Sequence, residues 1–424
     1  MSVHNAEVEI TRQDGRGRRL LLDEATALGD TLLEWLRDQP GCTDGSAVGT
    51  LRRRHERFDA IELLVAAESP AAIIAAFSAS PAVRSVVRSG ASRATVITSD
   101  GARVTLHAVI PARYVGALQR LTGSRAHNRA LAGRAAGATT EAEVYERLGH
   151  AHLPPELREG TGELDPANRP RLSGLVTVAD IRGDLHSHTA ASDGRNSIEE
   201  MAGAALARGY GYLAITEHTP AVNVLEPGIG LDVGRLREHV AEIRGVAARL
   251  APKGFRLLAG CEVDILPDGS LDYPDDVLAE LDWVVASPHI NLRQSAARTT
   301  ARMVAAAAHP LVDVIGHPTA RYLIGRRPTA VDMAAMIAAC AEHGTFLEVN
   351  SNPQRLDLSA TNARAAREAG VPIVISTDAH EVAMLANMRY GVTVARRAWA
   401  LPAEIVNTRP WAEVEAMRKP ARRR

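Results

Sequence analysis

The fold and the chemistry of this chain are decided by one stretch, Gly183-Asp184-Leu185-His186-Ser187-His188-Thr189-Ala190-Ala191-Ser192-Asp193-Gly194. It places two imidazoles one residue apart at the end of a short apolar run, with a carboxylate just beyond. Because alternate side chains of an extended strand share one face, His186 and His188 can point at the same ion while Ser187 points away. Paired histidines also occur on ordinary polar surface, so the rest of the chain must decide between the two interpretations.

From residue 182 onward, short β-branched or aliphatic runs alternate with alanine-rich helical segments, which is typical of strand–helix units around a parallel sheet. Seven such runs can be read, and six end in side chains that could bind a metal ion. The runs and the side chains that follow them are 181–185 with His186 and His188, 212–216 with Glu217 and His218, 256–261 with Glu262, 283–287 with His289, 312–316 with His317, 345–349 with Asn350, and 372–376 with Asp378 and His380. The carboxyl ends of parallel strands converge on one mouth of a closed α/β barrel, so we expect one site there.

Five strings in this half resemble the polymerase and histidinol phosphatase (PHP) domain: Asp-Leu-His-Ser-His-Thr at 184–189, Ser-Asp-Gly at 192–194, Ile-Thr-Glu-His at 215–218, Gly-His-Pro-Thr at 316–319 and Ser-Thr-Asp-Ala-His at 376–380. The strings at 264–272 and 355–358 narrow the resemblance to the PHP domain of bacterial family X DNA polymerases, over nearly all of residues 182–408. The resemblance implies metal ligands at His186, His188, Asp193, His218, Glu262, His289, His317, Asp378 and His380. Glu217 stands where Asp is commoner in the family and is not among these ligands.

We therefore predict an α/β fold in which a distorted seven-stranded (β/α) barrel follows a smaller α+β domain that resembles a nucleotidyltransferase palm. The predicted boundaries are 1–112 for the palm-like domain, 113–180 for a thumb-like helical segment and linker, 181–408 for the barrel, and 409–424 for a basic tail expected to be solvated. The predicted elements before the barrel are helices at 23–37, 70–78 and 140–148 and strands at 61–65, 94–98 and 104–110, the last two joined by a turn at Asp100-Gly101. Thr140 and Glu143 form a candidate capping box.

The palm-like half resembles the family in its Gly49-Thr50-Leu51-Arg52-Arg53 turn and in the strings at 121–128 and 154–160. A polymerase palm needs three carboxylates to hold two magnesium ions. Counted without gaps from the turn, their places fall on Ala60, Glu62 and Thr105, of which one is an acid. Asp59 would point to the opposite face of its strand. We therefore predict that the palm has lost polymerase activity, and the resemblance further implies a start after the family's N-terminal lyase and helix-hairpin-helix elements.

Four arginines near this turn, Arg52, Arg53, Arg54 and Arg57, either contact phosphates or form a solvated turn. The formal net charge of −1 provides no overall attraction for nucleic acid, so any DNA contact must use local patches.

Several bulk features bear on compartment and class. Cys42, Cys261 and Cys340 lack the spacing of zinc or disulfide sites, which fits a reducing cytoplasm. No stretch approaches the roughly 20 apolar residues of a membrane span. We expect a soluble cytoplasmic protein whose oligomeric state the sequence leaves open. His239, His309 and His343 fall in or beside helical segments and are expected to be solvated or capping residues.

The predicted donor set holds six imidazoles and three carboxylates, more than one ion can use, so two or three divalent ions are expected. Nitrogen and oxygen donors without thiolate suit Mn²⁺, with Zn²⁺ or Fe²⁺ as alternatives. A water shared between such ions becomes a nucleophile near neutral pH, which predicts phosphoester hydrolysis. Four arginines on the mouth loops could clamp substrate phosphates or, alternatively, form salt bridges between loops: Arg321, Arg326, Arg327 and Arg355.

Three functions stay open at this point. The family resemblance implies a 3′–5′ exonuclease or DNA end-processing enzyme, with a DNA strand as partner. An alternative is a phosphatase of a small monoester such as histidinol phosphate or a nucleotide. A third is a non-enzymatic protein with a structural metal site, which nine ligands disfavour because about four suffice for such a site.

Overall fold

The computed structural model describes residues 17–133, 135 and 137–423. The chain divides into two compact units, of which the first ends at Ser173 and the second begins at Gly174. The first unit is built on a five-stranded sheet and the second on a seven-stranded sheet.

The first unit is a mixed α+β fold. Its strands are β1 (Leu20–Leu21), β2 (Cys42–Val48), β3 (Arg57–Phe58), β4 (Ile61–Ala67), β5 (Val83–Ser89), β6 (Arg93–Thr98) and β7 (Arg103–Val109). Its helices are α1 (Leu22–Arg37), α2 (Gly49–Arg52), α3 (Pro70–Ser78), α4 (Tyr114–Thr122), α5 (Arg125–Leu131), α6 (Glu141–Arg147) and α7 (Arg169–Leu172). The main sheet has the order β2-β4-β7-β6-β5, with β4 and β7 parallel.

Most predicted elements of this unit are confirmed, including the β6–β7 hairpin and the Thr140 cap, whose hydroxyl accepts from the Glu143 N–H. The predicted capping box forms only in part, because the Glu143 carboxylate accepts from the Thr139 N–H instead of the Thr140 N–H. Strands β2 and β5 were not predicted. Strand β2 has a mostly polar sequence that contains Asp44-Gly45, a turn signal, yet it pairs with β4. Strand β5 lies at the sheet edge and is exposed on both faces, so it has no buried apolar pattern to reveal it.

The second unit is the predicted barrel. Its strands are β8 (Gly183–Asp184), β9 (Tyr212–His218), β10 (Arg256–Asp264), β11 (Trp283–Ser287), β12 (Val314–Ile315), β13 (Phe346–Asn350) and β14 (Ile373–Ser376). The helices are α8 (Ile198–Ala207), α9 (Val233–Leu250), α10 (Asp275–Ala279), α11 (Ala296–Ala308), α12 (Met333–His343), α13 (Ala360–Glu368), α14 (Met388–Arg397) and α15 (Trp411–Met417). All strands are parallel and neighbours follow the chain order, which confirms the predicted seven-stranded architecture.

The sheet nearly closes between its first and last strands, β8 and β14. Near the mouth, the His188 N–H donates to the Ala379 carbonyl at 2.8 Å and the Asp378 N–H donates to the His186 carbonyl at 3.0 Å. Lower down, the buried Asn407 amide fills the gap: it donates to the carbonyls of Gly183 and Ile375, both at 2.8 Å, and accepts from the Ile375 N–H. These contacts replace a continuous ladder, so the first and last ligand-bearing segments lie side by side.

The C-terminal segment is not the solvated tail that its composition predicted. Helix α15 buries Trp411, and the guanidinium groups of Arg418 and Arg422 are also buried. Arg418 donates to both oxygens of Asp313, and Arg422 donates to one of them. Asp313 immediately precedes β12, so this segment packs at the amino-terminal ends of the strands, opposite the mouth.

In the part of the chain that the structure describes, no helix is both long and apolar enough to cross a membrane.

Candidate metal centre

All nine predicted ligands come together at the carboxyl ends of the barrel strands. Three groups hold donor atoms within 4.8 Å of one another: His188 with Asp193, His218 and His380; His186 with His188 and Asp378; and His218 with Glu262 and His289. His317 joins the cluster through its Nε2 atom, which lies 2.8 Å from Glu262 Oε1. The shared members make the three groups one continuous cluster.

Glu262 lies at the centre of this cluster because of its place in the sheet. It is fully buried on β10, next to His218 of β9 in the parallel register. Its Oε2 atom lies 2.9 Å from His218 Nδ1, and its Oε1 atom lies 3.3 Å from His289 Nε2. Both oxygens therefore face imidazoles, which is the arrangement of a carboxylate able to bridge two ions.

Many donor atoms in the cluster are buried and make no hydrogen bond. They are Nε2 of His186, Nδ1 of His188, Nδ1 of His218, both oxygens of Glu262, Nε2 of His289 and both ring nitrogens of His317. Leaving a buried polar group without a partner costs roughly 1–3 kcal/mol, so such atoms are rare and seldom adjacent. Divalent cations would satisfy most of them, and the chemistry of the donors fits Mn²⁺, Zn²⁺ or Fe²⁺.

The electrostatics of the cluster are strongly coupled. Burial alone would raise the pKa of Glu262, but the imidazoles of His289, His186 and His218 hold it well below its usual range. Burial opposes the charged form of His186, yet Glu262, Glu348 and Asp378 raise the pKa of this imidazole well above its usual value. Protons and metal ions therefore compete for the same atoms.

Two carboxylates that sequence reasoning missed orient the ligand imidazoles. Glu348 Oε1 lies 2.8 Å from His186 Nδ1, and Asp264 Oδ2 lies 3.1 Å from His289 Nδ1. With the proton assigned to Nδ1, each ring directs its Nε2 lone pair into the cluster. The spacing held a signal for both residues, because each lies two positions from a candidate, Asn350 or Glu262, and so shares its face of the strand.

Asn350, which follows its strand as a poor metal ligand, also supports the cluster. Its side-chain amide donates to Asp378 Oδ2 at 3.0 Å, and it is fully buried. Asp378 itself adopts φ +52° and His317 adopts φ +23°, a left-handed region that non-glycine residues seldom occupy. Two of the eight described non-glycine residues with positive φ are thus candidate ligands.

Glu217 and His239 form a second buried pair beside the cluster. His239 lies on α9, and its Nε2 atom is 3.1 Å from Glu217 Oε1. The expectation that His239 is solvated or capping was wrong, because α9 packs this face of the helix against the end of β9.

The four predicted substrate arginines differ in their placement. Arg355 is nearest the cluster: its Nε atom is 3.7 Å from Asp378 Oδ2, and its Nη1 atom is buried without a hydrogen bond. Arg355 and Arg326 stack on the Tyr322 ring, with guanidinium carbons 4.6 and 4.2 Å from its centroid. Arg321 donates to the carbonyls of Arg355 and Leu356 and so joins two mouth loops. Arg327 is exposed.

In the first unit, the three palm positions lie together but hold one carboxylate. Ala60 immediately precedes β4, and Glu62 on β4 pairs in register with Thr105 on β7. Thr105 shares a hydrogen bond with Thr95, and Glu62 lies 3.8 Å from His107 Nε2. Among the described residues, all groups of side chains suited to a metal ion lie in the barrel.

The arginine turn of the first unit is neither solvated nor open to phosphate at its two central residues. Arg52 forms a bidentate pair with Glu141, at 2.9 and 2.6 Å, and Arg53 donates to Glu159 at 3.0 Å. Both expectations for Arg52 and Arg53 were therefore wrong, because acids distant in sequence neutralise them.

Comparison with known proteins finds a matching domain family, similar sequences and a solved structure with partial similarity. The PHP domain model matches residues 184–352. The DNA polymerase/3′-5′ exonuclease PolX of Bacillus subtilis (strain 168) is 37% identical over 397 residues, covering 88% of this chain and 68% of the relative. A protein of Thermoanaerobacter sp. (strain X514) named "probable phosphatase" is 28% identical over 53% of this chain and 89% of its own length. A solved structure provisionally assigned as the histidinol phosphatase hisK of Listeria monocytogenes shares 16% identity at a TM-score of 0.39, covering 48% of this chain and 97% of that one.

The barrel and its rim of imidazoles and carboxylates define a PHP-domain protein, a class of metal-dependent hydrolases that act on phosphoesters. Within this class, the chain belongs to the PolX family, the family X polymerases that carry a PHP domain.

Proposed function

We propose that this protein hydrolyses phosphodiester bonds in DNA as a 3′–5′ exonuclease or related end-processing enzyme. The observation that carries the proposal is the convergence of nine nitrogen- and oxygen-bearing side chains, with buried atoms that lack hydrogen bonds, at one barrel mouth. Such a set suits two or three divalent ions, with Mn²⁺ as the first choice and Zn²⁺ or Fe²⁺ as alternatives. We assign the metal-ligand role to all nine.

Bound ions of this kind supply a nucleophilic water near neutral pH and neutralise charge on the phosphoryl oxygens. The chain's own residues hold and orient the donors. Glu262 offers one oxygen to each side of the cluster, while Glu348 and Asp264 fix the ring orientation of His186 and His289. These contacts preorganise the site, so little rearrangement is needed when substrate arrives.

Arg355 is the best candidate for binding the substrate phosphate. The N–H groups of its buried Nη1 atom make no hydrogen bond and could donate to a phosphate oxygen. Its position beside Asp378 places these N–H groups at the edge of the candidate metal ligands. Stacking on Tyr322 restricts the guanidinium, which lowers the entropy lost on binding. Arg326, which also stacks on the Tyr322 ring, could reach a neighbouring phosphate. Arg321 instead bridges two loops through its hydrogen bonds to backbone carbonyls.

A DNA substrate is favoured over a small monoester by the relative that spans both units and by a groove in the first unit. The B. subtilis relative, named as a polymerase and 3′-5′ exonuclease, aligns with 88% of this chain. The groove, of about 510 Å³, is lined by Arg93, Arg113 and Arg120, and no carboxylate occurs among the described residues that line it. Three arginines along one groove provide local positive charge for contact with a phosphate backbone.

The test is incubation of the purified chain and Mn²⁺ with end-labelled single-stranded DNA and, separately, with nucleoside monophosphates and histidinol phosphate. The variants are His188→Ala and Asp378→Ala, and the matched control is His343→Ala, which removes an exposed imidazole at the end of α12. We expect a ladder of shortened DNA with the wild type and the control, and none with the two variants. Release of phosphate from the small esters without shortening of DNA would support the phosphatase alternative instead.

A further inference from the structure

Asp193 differs from the other carboxylates of the donor cluster in how it is held. It lies on the turn from Thr189 to Gly194, and its side chain is 26% exposed, whereas those of Glu262 and Asp378 are 0% and 4% exposed. Its Oδ2 atom is 3.1 Å from His380 Nε2 and 3.5 Å from His218 Nε2. No regular strand fixes this carboxylate, so other contacts must hold it against the imidazoles.

Glu217 accepts hydrogen bonds from two residues of this turn, Thr189 and Ser192, on its buried side. One of its oxygens accepts hydrogen bonds from the Thr189 N–H at 3.0 Å, from the Thr189 hydroxyl and from His239, and the other accepts from the Ser192 hydroxyl. Its side chain is buried, and these four bonds occupy most of its acceptor capacity. Glu217 neighbours the ligand His218 in sequence, and its Oε2 atom lies 3.9 Å from Nδ1 of the ligand His188.

Helix α9 reaches the same turn at a second point. The Arg235 guanidinium donates to the Ala191 carbonyl at 2.9 Å through Nη2, and its Nη1 atom contacts the carbonyls of Gly228 and Gly230. His239, one helical turn further along, fixes Glu217. The first half of α9 therefore contacts the Asp193 turn in two ways. Arg235 contacts it directly, and His239 contacts it indirectly through Glu217.

We propose that Glu217, His239 and Arg235 are positioning residues that hold Asp193 against His188, His218 and His380, and so set the affinity for the divalent ion that these four residues take. The inference rests on the proposed function, because it needs an ion at this group. Glu217 acts here through the turn and not as a ligand. The affinity for the ion bound by Asp193 would therefore depend on residues of helix α9.

The test is titration of the metal-free full-length chain with Mn²⁺, with the number of ions measured by elemental analysis and the affinities by calorimetry. Asp193→Asn is expected to weaken the binding of one ion by more than any of the positioning variants, while leaving a measurable affinity. Glu217→Gln, which loses an acceptor at constant volume, and His239→Ala are expected to weaken the same ion about 10- to 100-fold, the usual range for residues that orient ligands. Arg235→Ala should also lower the affinity for this ion. Because Arg235 is exposed, the substitution should leave the fold intact.

The matched control is Arg237→Ala on the same helix, whose guanidinium pairs with Glu280 away from the turn. It should bind Mn²⁺ as the wild type does. The deciding measurement is a double-mutant cycle: if Glu217 acts through Asp193, Glu217→Gln should cause no further loss of Mn²⁺ affinity in an Asp193→Asn background.

Wild-type affinity in all three variants would overturn the inference, and so would a loss from Glu217→Gln that persists undiminished without Asp193. A wild-type chain that binds no Mn²⁺, Zn²⁺ or Fe²⁺ would instead refute the proposed function, and this inference with it.

Discussion

Glu348 is a single buried carboxylate that contacts two segments bearing candidate metal ligands. It accepts from His186 Nδ1 with one oxygen and from the His317 N–H with the other, at 2.8 and 2.6 Å. One residue on β13 thus contacts two ligand-bearing segments, one after β8 and one after β12, which are not neighbours in the sheet.

We expect Glu348→Ala to weaken Mn²⁺ binding about 10- to 100-fold, because the His186 ring loses the partner that sets its orientation. Competition with a chelating dye would measure the change. Glu342→Ala, which removes an exposed carboxylate from α12, should leave the affinity unchanged. Equal affinities for both variants would show that the Glu348 contact has no role in holding the ion.

The placement of most candidate ligands could be predicted from the sequence because they lie at or just after strand ends that face the barrel mouth, whereas Asp193, on a turn beyond β8, was implied by the family resemblance. The roles of Glu348, Asp264 and His239 could not, because they depend on which side chains meet across the barrel or between helix and strand. Arg355 was named on the same sequence grounds as Arg327, and only its folded contacts with Tyr322 and Asp378 separate the two.

Among the elements of the first unit, α6 makes ion pairs with distant arginines through its first residue. Glu141 in its first turn binds Arg52 in bidentate geometry and also pairs with Arg158. Burial would raise the pKa of this carboxyl, but Arg52 and Arg158 outweigh it and lower the pKa from 4.5 to about 2. The ionised form is therefore favoured by folding.

A carboxyl whose pKa is lowered by folding stabilises the protein above its unfolded pKa, and this stability is lost as the pH falls through the folded pKa. We predict that Glu141→Gln lowers the free energy of unfolding by up to about 3 kcal/mol at pH 7. The deficit should shrink between pH 4.5 and about 2. Urea unfolding across this pH range is the measurement, with the exposed Glu146→Gln as control. A deficit independent of pH would refute the assignment.

Helix α15 closes the end of the barrel opposite the mouth, and Trp411 is its main contact. The Trp411 ring lies 5.7 Å from Tyr212 and 6.3 Å from Trp283, centroid to centroid. The charged composition of the C-terminal segment predicted a solvated tail. The sequence could not show that Arg418 and Arg422 pair with Asp313, because this contact forms only in the folded barrel.

We predict that Trp411→Ala destabilises the second unit by about 3–5 kcal/mol, the usual cost of removing a buried aromatic ring. Glu413→Ala, on the exposed side of the same helix, should change stability by less than about 0.5 kcal/mol. Denaturant unfolding followed by circular dichroism would compare them. Similar midpoints for the two variants would contradict a packing role for α15.

For the whole molecule, the two units have different chemical capacities. The barrel holds nine candidate ligands, whereas the palm-like positions hold Ala60, Glu62 and Thr105. The α/β class and the seven-stranded barrel were predictable because the alternation of runs and the family strings both indicate them. Strand β2 and the acid partners of Arg52 and Arg53 were not, because they form through pairing with distant segments.

We predict that the protein does not extend a primer. One carboxylate cannot hold the two magnesium ions that nucleotidyl transfer requires. The measurement is incubation with a primed template, all four deoxynucleotides and Mg²⁺ or Mn²⁺, using His188→Ala so that degradation does not obscure extension. Metal-dependent lengthening of the primer would contradict the assignment of a degenerate palm.

The most direct test of the central claim is anomalous diffraction from crystals of the full chain grown with Mn²⁺, measured near the manganese absorption edge. We predict two or three manganese peaks inside the cluster, with Glu262 bound to more than one ion and Asp193 bound to the ion nearest His380. The absence of peaks at the barrel mouth, or manganese bound only elsewhere, would contradict the account.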